Sequence, residues 1–514
     1  MRLTSIKRVI TTPSILLRRK SGWTPPPGGP AVGRARRPVE LGPLSTTPGF
    51  LILIALPLAL VAAFLGFIEQ SASSTAMLAI VTIGLGGWFT ISDALKFGDL
   101  TLTACFLAFF AFIYAARAIY ISSTNDFSLI ARMGLEASYS SISGAMAYVV
   151  FGILAYIAGT FTLLPRAMRA RQGRMNLESF SNIAYGIDHS WNFVVFQLIF
   201  CVLLAPLGLS ANKGEIYGIS SSAYVYLLPT IVHGFDLYFF IYMMSRLRRT
   251  SDIVTFQALI VCTALLLFHA YTLSNMTIFR GFYLVGIFCC GVAALVIRYK
   301  RISLCFIVVM IAIYPLFKTL GQDRELTNKE VLATKVMRPQ DSYTKEGMEV
   351  AFGEATDINM LDTFAASLKW ESSHHPYFLS YAYVFVHWIP RGVWPAKPES
   401  GILSDMRYTC GAPYSPGIIG MFNDDGGKMF MIFMMFVLGV FIRWCEIRSN
   451  LCRSYEMQVS MYSALLLSAL VCTRYLPYQT FYGFLTFYLP CLACDLFLQR
   501  KTRTQESGDR GGRV

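Results

Sequence analysis

Charge is scarce in this chain. Asp, Glu, Lys and Arg together make up 14% of its 514 residues, where a soluble domain carries roughly 25%. That shortage removes the polar surface a globule of this size needs. Hydrophobic residues at 55%, with a mean hydropathy of +0.51, stand in its place, so a polytopic membrane protein is expected. Cysteine occurs 12 times, yet all except Cys410 fall in apolar spans or in basic connections. No disulfide framework is therefore expected; the thiols read as small buried hydrophobes. A signal peptide is also missing from the sequence pattern, because the first apolar run begins only near Phe50. There is no internal repeat and no Cys/His spacing suited to a metal, so neither metal nor cofactor is expected.

What is there is a series of apolar segments of about 20 residues, the length that spans the hydrocarbon of a bilayer. Twelve can be drawn, at 50–68, 75–92, 100–120, 142–164, 190–210, 222–244, 253–272, 281–298, 302–320, 428–447, 457–473 and 480–498. The expected fold class is an all-α polytopic membrane protein with about 12 transmembrane helices and one large extracytoplasmic loop containing short helices. Residues 1–48 and 501–514 read as disordered cytoplasmic tails, the first basic and rich in proline and glycine. Transmembrane helices are expected over 49–320 and 428–500, with the large loop at 321–427.

The net charge of +14 would suggest nucleic acid if it covered a globular surface. Instead it is sorted by side. Alternate connections carry Arg166, Arg169, Arg171 and Arg174, then Arg246, Arg248 and Arg249, then Arg298, Lys300 and Arg301, then Arg443, Arg448 and Arg453. The intervening short connections hold isolated cations such as Arg132 and Lys213. By the positive-inside rule both termini are cytoplasmic. The loop lies outside, and no nucleic-acid partner is expected.

In that loop, Thr327 to Trp370 shows helical periodicity around Val331, Leu332 and Val336 and again around Met360, Leu361 and Phe364. Phe378 to Ile389 is too short to span and too apolar for water, which suits an interfacial or re-entrant helix. Next comes Trp388-Ile389-Pro390-Arg391-Gly392-Val393-Trp394-Pro395-Ala396-Lys397-Pro398, a proline-stiffened turn with two cations. Arg117, Arg280 and Arg474 also sit at or beyond expected outer helix ends. Guanidinium binds phosphate bidentately and stays charged at any pH. With Arg391 and Lys397, these arginines would suit a lipid-linked pyrophosphate at the membrane surface. An acceptor's proton could pass to His387, Glu399 or Asp405, with Glu371, His374 and His375 also in the loop. Asp424-Asp425 beside Gly426-Gly427 reads as a turn. Within the membrane, His233 and Asp236 share a helix face at i and i+3; Asp236 is expected to pair with Arg246 or Arg248, and Asp495 with a cation near its own helix end.

The string Pro390 to Pro398 resembles the Pro-Arg-x-x-Trp-Pro-x-Lys-Pro loop of the Wzy-type oligosaccharide repeat-unit polymerases of O-antigen and exopolysaccharide synthesis. Pro416-Gly417-Ile418-Ile419-Gly420 is similar to the family's glycine-bearing approach to the next span, and Arg280-Gly281 to its Arg-Gly pair. Asn423-Asp424-Asp425 departs from the family, which has an aromatic and an asparagine before the glycines. The resemblance implies a bacterial inner-membrane glycosyltransferase that polymerises undecaprenyl-pyrophosphate-linked oligosaccharides. Membrane lipids, a chain-length regulator and a flippase of the same pathway would be its partners. An O-antigen ligase would use the same donor. A flippase or other transporter would instead show pseudo-repeated halves and charges near the midplane.

Overall fold

Helix boundaries follow the polar interruptions of the apolar runs. The computed structural model describes residues 56–97, 101–133, 136, 138–170, 188–210, 224–250, 252–276, 344, 360–369, 385–386, 389, 394, 396, 416–452, 454–472, 481, 484–485 and 487–498. Among them there are helices and no strand. Helix α1 (Leu56–Ile68) turns into α2 (Ala72–Phe97) through Ser71 and Ser74, whose hydroxyls each accept the other's backbone N–H at 3.1 and 3.2 Å. This reciprocal cap satisfies two N-terminal donors. Helix α3 (Leu102–Thr124) starts at Thr101, whose hydroxyl accepts the Ala104 N–H at 3.1 Å. It stops at Asn125, left-handed at φ 56°, whose N–H closes onto the Ile121 carbonyl.

The remaining helices are α4 (Ser128–Arg132), α5 (Tyr139–Thr162), α6 (Ser190–Ser210), α7 (Tyr224–Thr250), α8 (Ile253–Met276), α9 (Met360–Lys369), α10 (Gly417–Asn450), α11 (Tyr455–Cys472) and α12 (Phe487–Leu498). Four of them, α2, α3, α5 and α10, are long and apolar enough to cross a membrane. The expected spans at 281–298 and 302–320 lie outside the described residues, as do the two tails and most of the loop.

One boundary differs from expectation. The helix expected at 428–447 begins at Gly417 and runs through Asn423, Asp424 and Asp425, so these acids lie in helix and not in a turn. The break comes later, at Gly427 (φ 78°, ψ −177°). Ile418, Ile419, Met421 and Phe422 are buried, and that apolar burial holds the extra turns in place against the glycines.

Helix α5 is the hub, packing on α1, α2, α3, α9 and α10. Its crossing with α10 brings backbones together: a Cβ on Gly159 would stand 2.1 Å from the Phe436 carbonyl oxygen, and one on Gly439 would stand 2.2 Å from that of Tyr156. Small residues at such crossings allow the dense packing that substitutes for hydrophobic drive within a membrane. Helices α6, α7 and α8 pack together and join the rest through α7 on α11. Helix α12 meets α7 where the Cys491 thiol donates to the Gly234 carbonyl at 3.3 Å.

The bundle has two chemically distinct ends. At the Thr101 end of α3, Arg443 reaches Asp93 at 2.8 Å and Glu446 at 3.0 Å. Thr101 also donates to Asp93, and Thr103 lies 3.3 Å from both carboxylates. Arg443, one of the cations in the expected cytoplasmic set, is thus buried, with its guanidinium carbon 4.9 Å from the centre of the Phe97 ring. Helix α9 packs at the other end.

Candidate functional site

Only a short amphipathic stretch of the loop, Met360-Leu361-Asp362-Thr363-Phe364-Ala365-Ala366-Ser367, is needed to seat α9. Its apolar residues are buried against α3, α5 and α10. Tyr114 meets Phe364 edge-on, ring centres 6.4 Å apart. Asp362 sits in the first turn, where a carboxylate favours the helix dipole.

That carboxylate faces Arg117 of α3. Arg117 Nε donates to Asp362 Oδ2 at 2.7 Å and a terminal nitrogen donates to Oδ1 at 3.0 Å. Both side chains are 0% exposed. Burial pushes the Asp362 carboxyl up from its ordinary range, while the Arg117 charge and N–H donors work in the opposite direction. Asp126, just past α3, also feels this cation. Burial opposes ionisation there, but bonds from Ser128 and the Arg117 charge bring its carboxyl below the ordinary value.

The start of α10 completes the seat. Asn423 Nδ2 donates to the Ser367 carbonyl at 3.0 Å, satisfying one of the carbonyls that a helix end leaves open. Tyr114 donates to the Pro416 carbonyl at 3.4 Å. Gly420 leaves room for Pro416 at the start of its own helix, since a Cβ there would lie 2.4 Å from Pro416 Cβ, and that Cβ would also stand 3.3 Å from Ser367 Oγ of α9. The departure from the family pattern at Asn423 therefore has a local structural use.

Of the residues expected at the site, Arg117 is described, and it is buried against a carboxylate and not presented at a surface. Arg280, His387, Arg391, Lys397, Glu399, Asp405 and Arg474 lie outside the described residues, as do Glu371, His374 and His375. Within the expected interfacial run, Phe385 and Val386 are helical, and Phe385 is exposed. Trp394 is exposed as well.

A second polar group lies among α6, α7 and α8, and here the expectation is corrected. Asp236 does not pair with Arg246, whose Nε lies 3.2 Å from Asp188. Gln197 Nε2 donates to Asp236 Oδ1 at 2.9 Å, and His269 Nδ1 stands 2.8 Å from Oδ2. His269 Nε2 is 3.0 Å from Cys201 Sγ. Asp495 accepts hydrogen bonds from Tyr238 and Ser454. Sequence reasoning found His233 and Asp236 but missed Gln197, Cys201 and His269. Their signal was a polar residue inside each of two further apolar spans. Among the described residues, no cluster of His, Cys, Asp and Glu could hold a metal ion.

Comparison with family models, with curated proteins and with solved structures finds no match. The reading of function therefore rests on the residues themselves.

Proposed function

We propose that the protein is a membrane glycosyltransferase that polymerises undecaprenyl-pyrophosphate-linked oligosaccharide repeat units. The observation that carries this reading is the string Pro390-Arg391-Gly392-Val393-Trp394-Pro395-Ala396-Lys397-Pro398, bounded on both sides by elements seated at one end of the bundle. On one side is α9, locked by Arg117 and Asp362; on the other is the start of α10, tied to α9 through Asn423.

Breaking a sugar–pyrophosphate bond leaves negative charge on the departing group, which preorganised cations stabilise. Arg391 and Lys397 are assigned that task, with Arg280 and Arg474. The acceptor hydroxyl needs a proton acceptor close by, and His387, Glu399 and Asp405 are the candidates. Arg117 acts indirectly: it holds Asp362 and thereby the loop helix that precedes the Pro390–Pro398 string, so it is a positioning residue. No nucleotide is required, since the lipid pyrophosphate already carries the activation.

Glycan profiling of a deletion strain, complemented with wild type or Arg391→Ala, tests the reading. Single repeat units accumulating on lipid in the deletion and in the variant support it, provided the variant is present in the membrane at the wild-type level. Long lipid-linked chains awaiting transfer would identify a ligase, and loss of all outer-leaflet intermediates a flippase. Persistent long-chain polymer in the Arg391→Ala strain would remove the loop from the mechanism.

A further inference from the structure

Helix α10 carries, along one face, a track that the bundle leaves uncovered. Phe433, Phe441, Trp444 and Arg448 are exposed, and Val437 between them is half-buried. Steps of three or four residues keep all five on one side of the helix. Phe441 and Trp444 stack with ring centres 6.1 Å apart, and the Arg448 guanidinium lies over the Trp444 ring at 5.2 Å. The order is apolar, then aromatic, then cationic, running toward the end of the bundle that holds the Arg443 network.

A cation near a helix C-terminus usually serves the last carbonyls. Arg448 leans the other way, onto a ring one turn back along α10. Its head is thereby held on the uncovered side, with its N–H donors turned to whatever lies outside the protein.

Two further cations come up beside it. Gly152 faces Met435 and Gly439 faces Tyr156, so α5 and α10 run side by side in the same direction. Beyond α5 the chain continues that way and places Ala167 in the small apolar cluster on which Ile447 packs. Arg166 and Arg169 flank Ala167, and Arg448 follows Ile447, so the three cations stand at one level; all three are exposed. Arg169 Nε donates to the Pro165 carbonyl at 3.4 Å. Among the described residues, no carboxylate pairs with Arg166, Arg169 or Arg448, whereas Arg443 of the same cationic set is taken up by Asp93 and Glu446.

We infer that this face is a docking site for a phospholipid of net negative headgroup, its acyl chain along Phe433, Val437, Phe441 and Trp444 and its phosphate on Arg448 with Arg166 and Arg169. The length fits. Phe433 to Trp444 covers about 16 Å of helix axis, and one leaflet's hydrocarbon is about 15 Å deep. Guanidinium matches phosphate with two parallel N–H donors, and clustered cations at the membrane surface favour anionic over zwitterionic headgroups. A charge that only sets topology needs neither the aromatic column nor the lean of Arg448 onto it. The site is independent of the glycosyltransferase reading.

The test is native mass spectrometry of the full-length protein in detergent, titrated with phosphatidylglycerol or with phosphatidylcholine of identical acyl chains. The first phosphatidylglycerol is expected to bind about tenfold more tightly than the first phosphatidylcholine. Arg448→Gln should weaken it about fivefold, the usual worth of one cation at a charged lipid surface, and Arg166→Gln with Arg169→Gln by about as much or more. Trp444→Leu keeps the apolar track but removes the ring, and should weaken binding about two- to fivefold. Lys428→Gln removes another exposed cation of α10 that lies over a ring, that of Tyr148 at 5.6 Å, and should leave the affinity unchanged. Equal affinity for the two lipids, unchanged phosphatidylglycerol binding in Arg448→Gln, an equal loss in Lys428→Gln, or displacement of the lipid by inorganic phosphate at equal concentration would each overturn the proposal. Should Arg448→Gln fail to fold, the Arg166→Gln, Arg169→Gln variant decides alone.

Discussion

The guanidinium of Arg117 and the carboxylate of Asp362 meet in a two-bond fork although 245 residues separate them in the chain. The fork joins a bundle helix to the short helix that precedes the Pro390–Pro398 string within the loop. A buried ion pair adds little net stability over a well-packed apolar pair, because both ions are stripped of water, but losing one partner strands the other. Arg117→Ala or Asp362→Ala is therefore expected to destabilise by about 3–5 kcal/mol. The double variant Arg117→Met with Asp362→Leu should recover most of that loss. Thermal unfolding in detergent measures both, and equal losses in single and double variants would show that the charges themselves hold α9.

Gly427 is a backbone requirement and not a packing one. Nothing lies within 4 Å of where its Cβ would be, yet its φ is +78°. Gly427→Ala should cost about 1–3 kcal/mol from strain alone. Gly87, in the middle of α2, has equal space and no positive φ. Gly87→Ala should therefore be neutral or stabilising by about 0.5–1 kcal/mol. Paired melting curves of the two variants check the contrast.

At the α5–α10 crossing the obstacle is a carbonyl on each side. Gly159→Ala and Gly439→Ala should each destabilise by about 1–3 kcal/mol, since backbone must shift to admit the methyl. The two sites share one contact, so the double variant should lose less than the sum of the singles. Additive losses in a double-mutant cycle would mean the helices yield independently.

The Arg443 network divides its load unevenly. Asp93 takes bonds from Arg443 and Thr101, with Thr103 close by. Asp93→Ala should cost about 3–5 kcal/mol by leaving buried Arg443 short of a counter-charge. Thr103→Val removes hydroxyl contacts of 3.3 Å to the two carboxylates but no charge, and should cost about 1 kcal/mol. Equal effects of the two, measured by denaturation, would contradict this ranking.

Local sequence cues reached some of this directly. Apolar runs predicted the long described helices but not the short α4 (Ser128–Arg132), and α9 falls within the periodic stretch that ends at Trp370. The cues failed where two local signals competed. Asp424-Asp425-Gly426-Gly427 carries the residues of a turn, yet four buried apolar neighbours before it keep the chain helical until Gly427. Partners for buried charges were harder still. From the chain alone, the nearest cations to Asp236 are those about three turns along its own helix, hence the expectation of Arg246 or Arg248. In the fold its partners come from α6 and α8.

By itself the sequence determined that this protein is helical and apolar, because charge scarcity and run length leave no other way to satisfy backbone groups away from water. It also singled out Arg117 as a cation on a helix that should not carry one. Tertiary structure alone decided what such groups do. Rotating a helix by one residue turns a side chain through about 100°, so only the packed bundle could aim Arg117 at Asp362, Arg443 at Asp93, and His269 between Asp236 and Cys201.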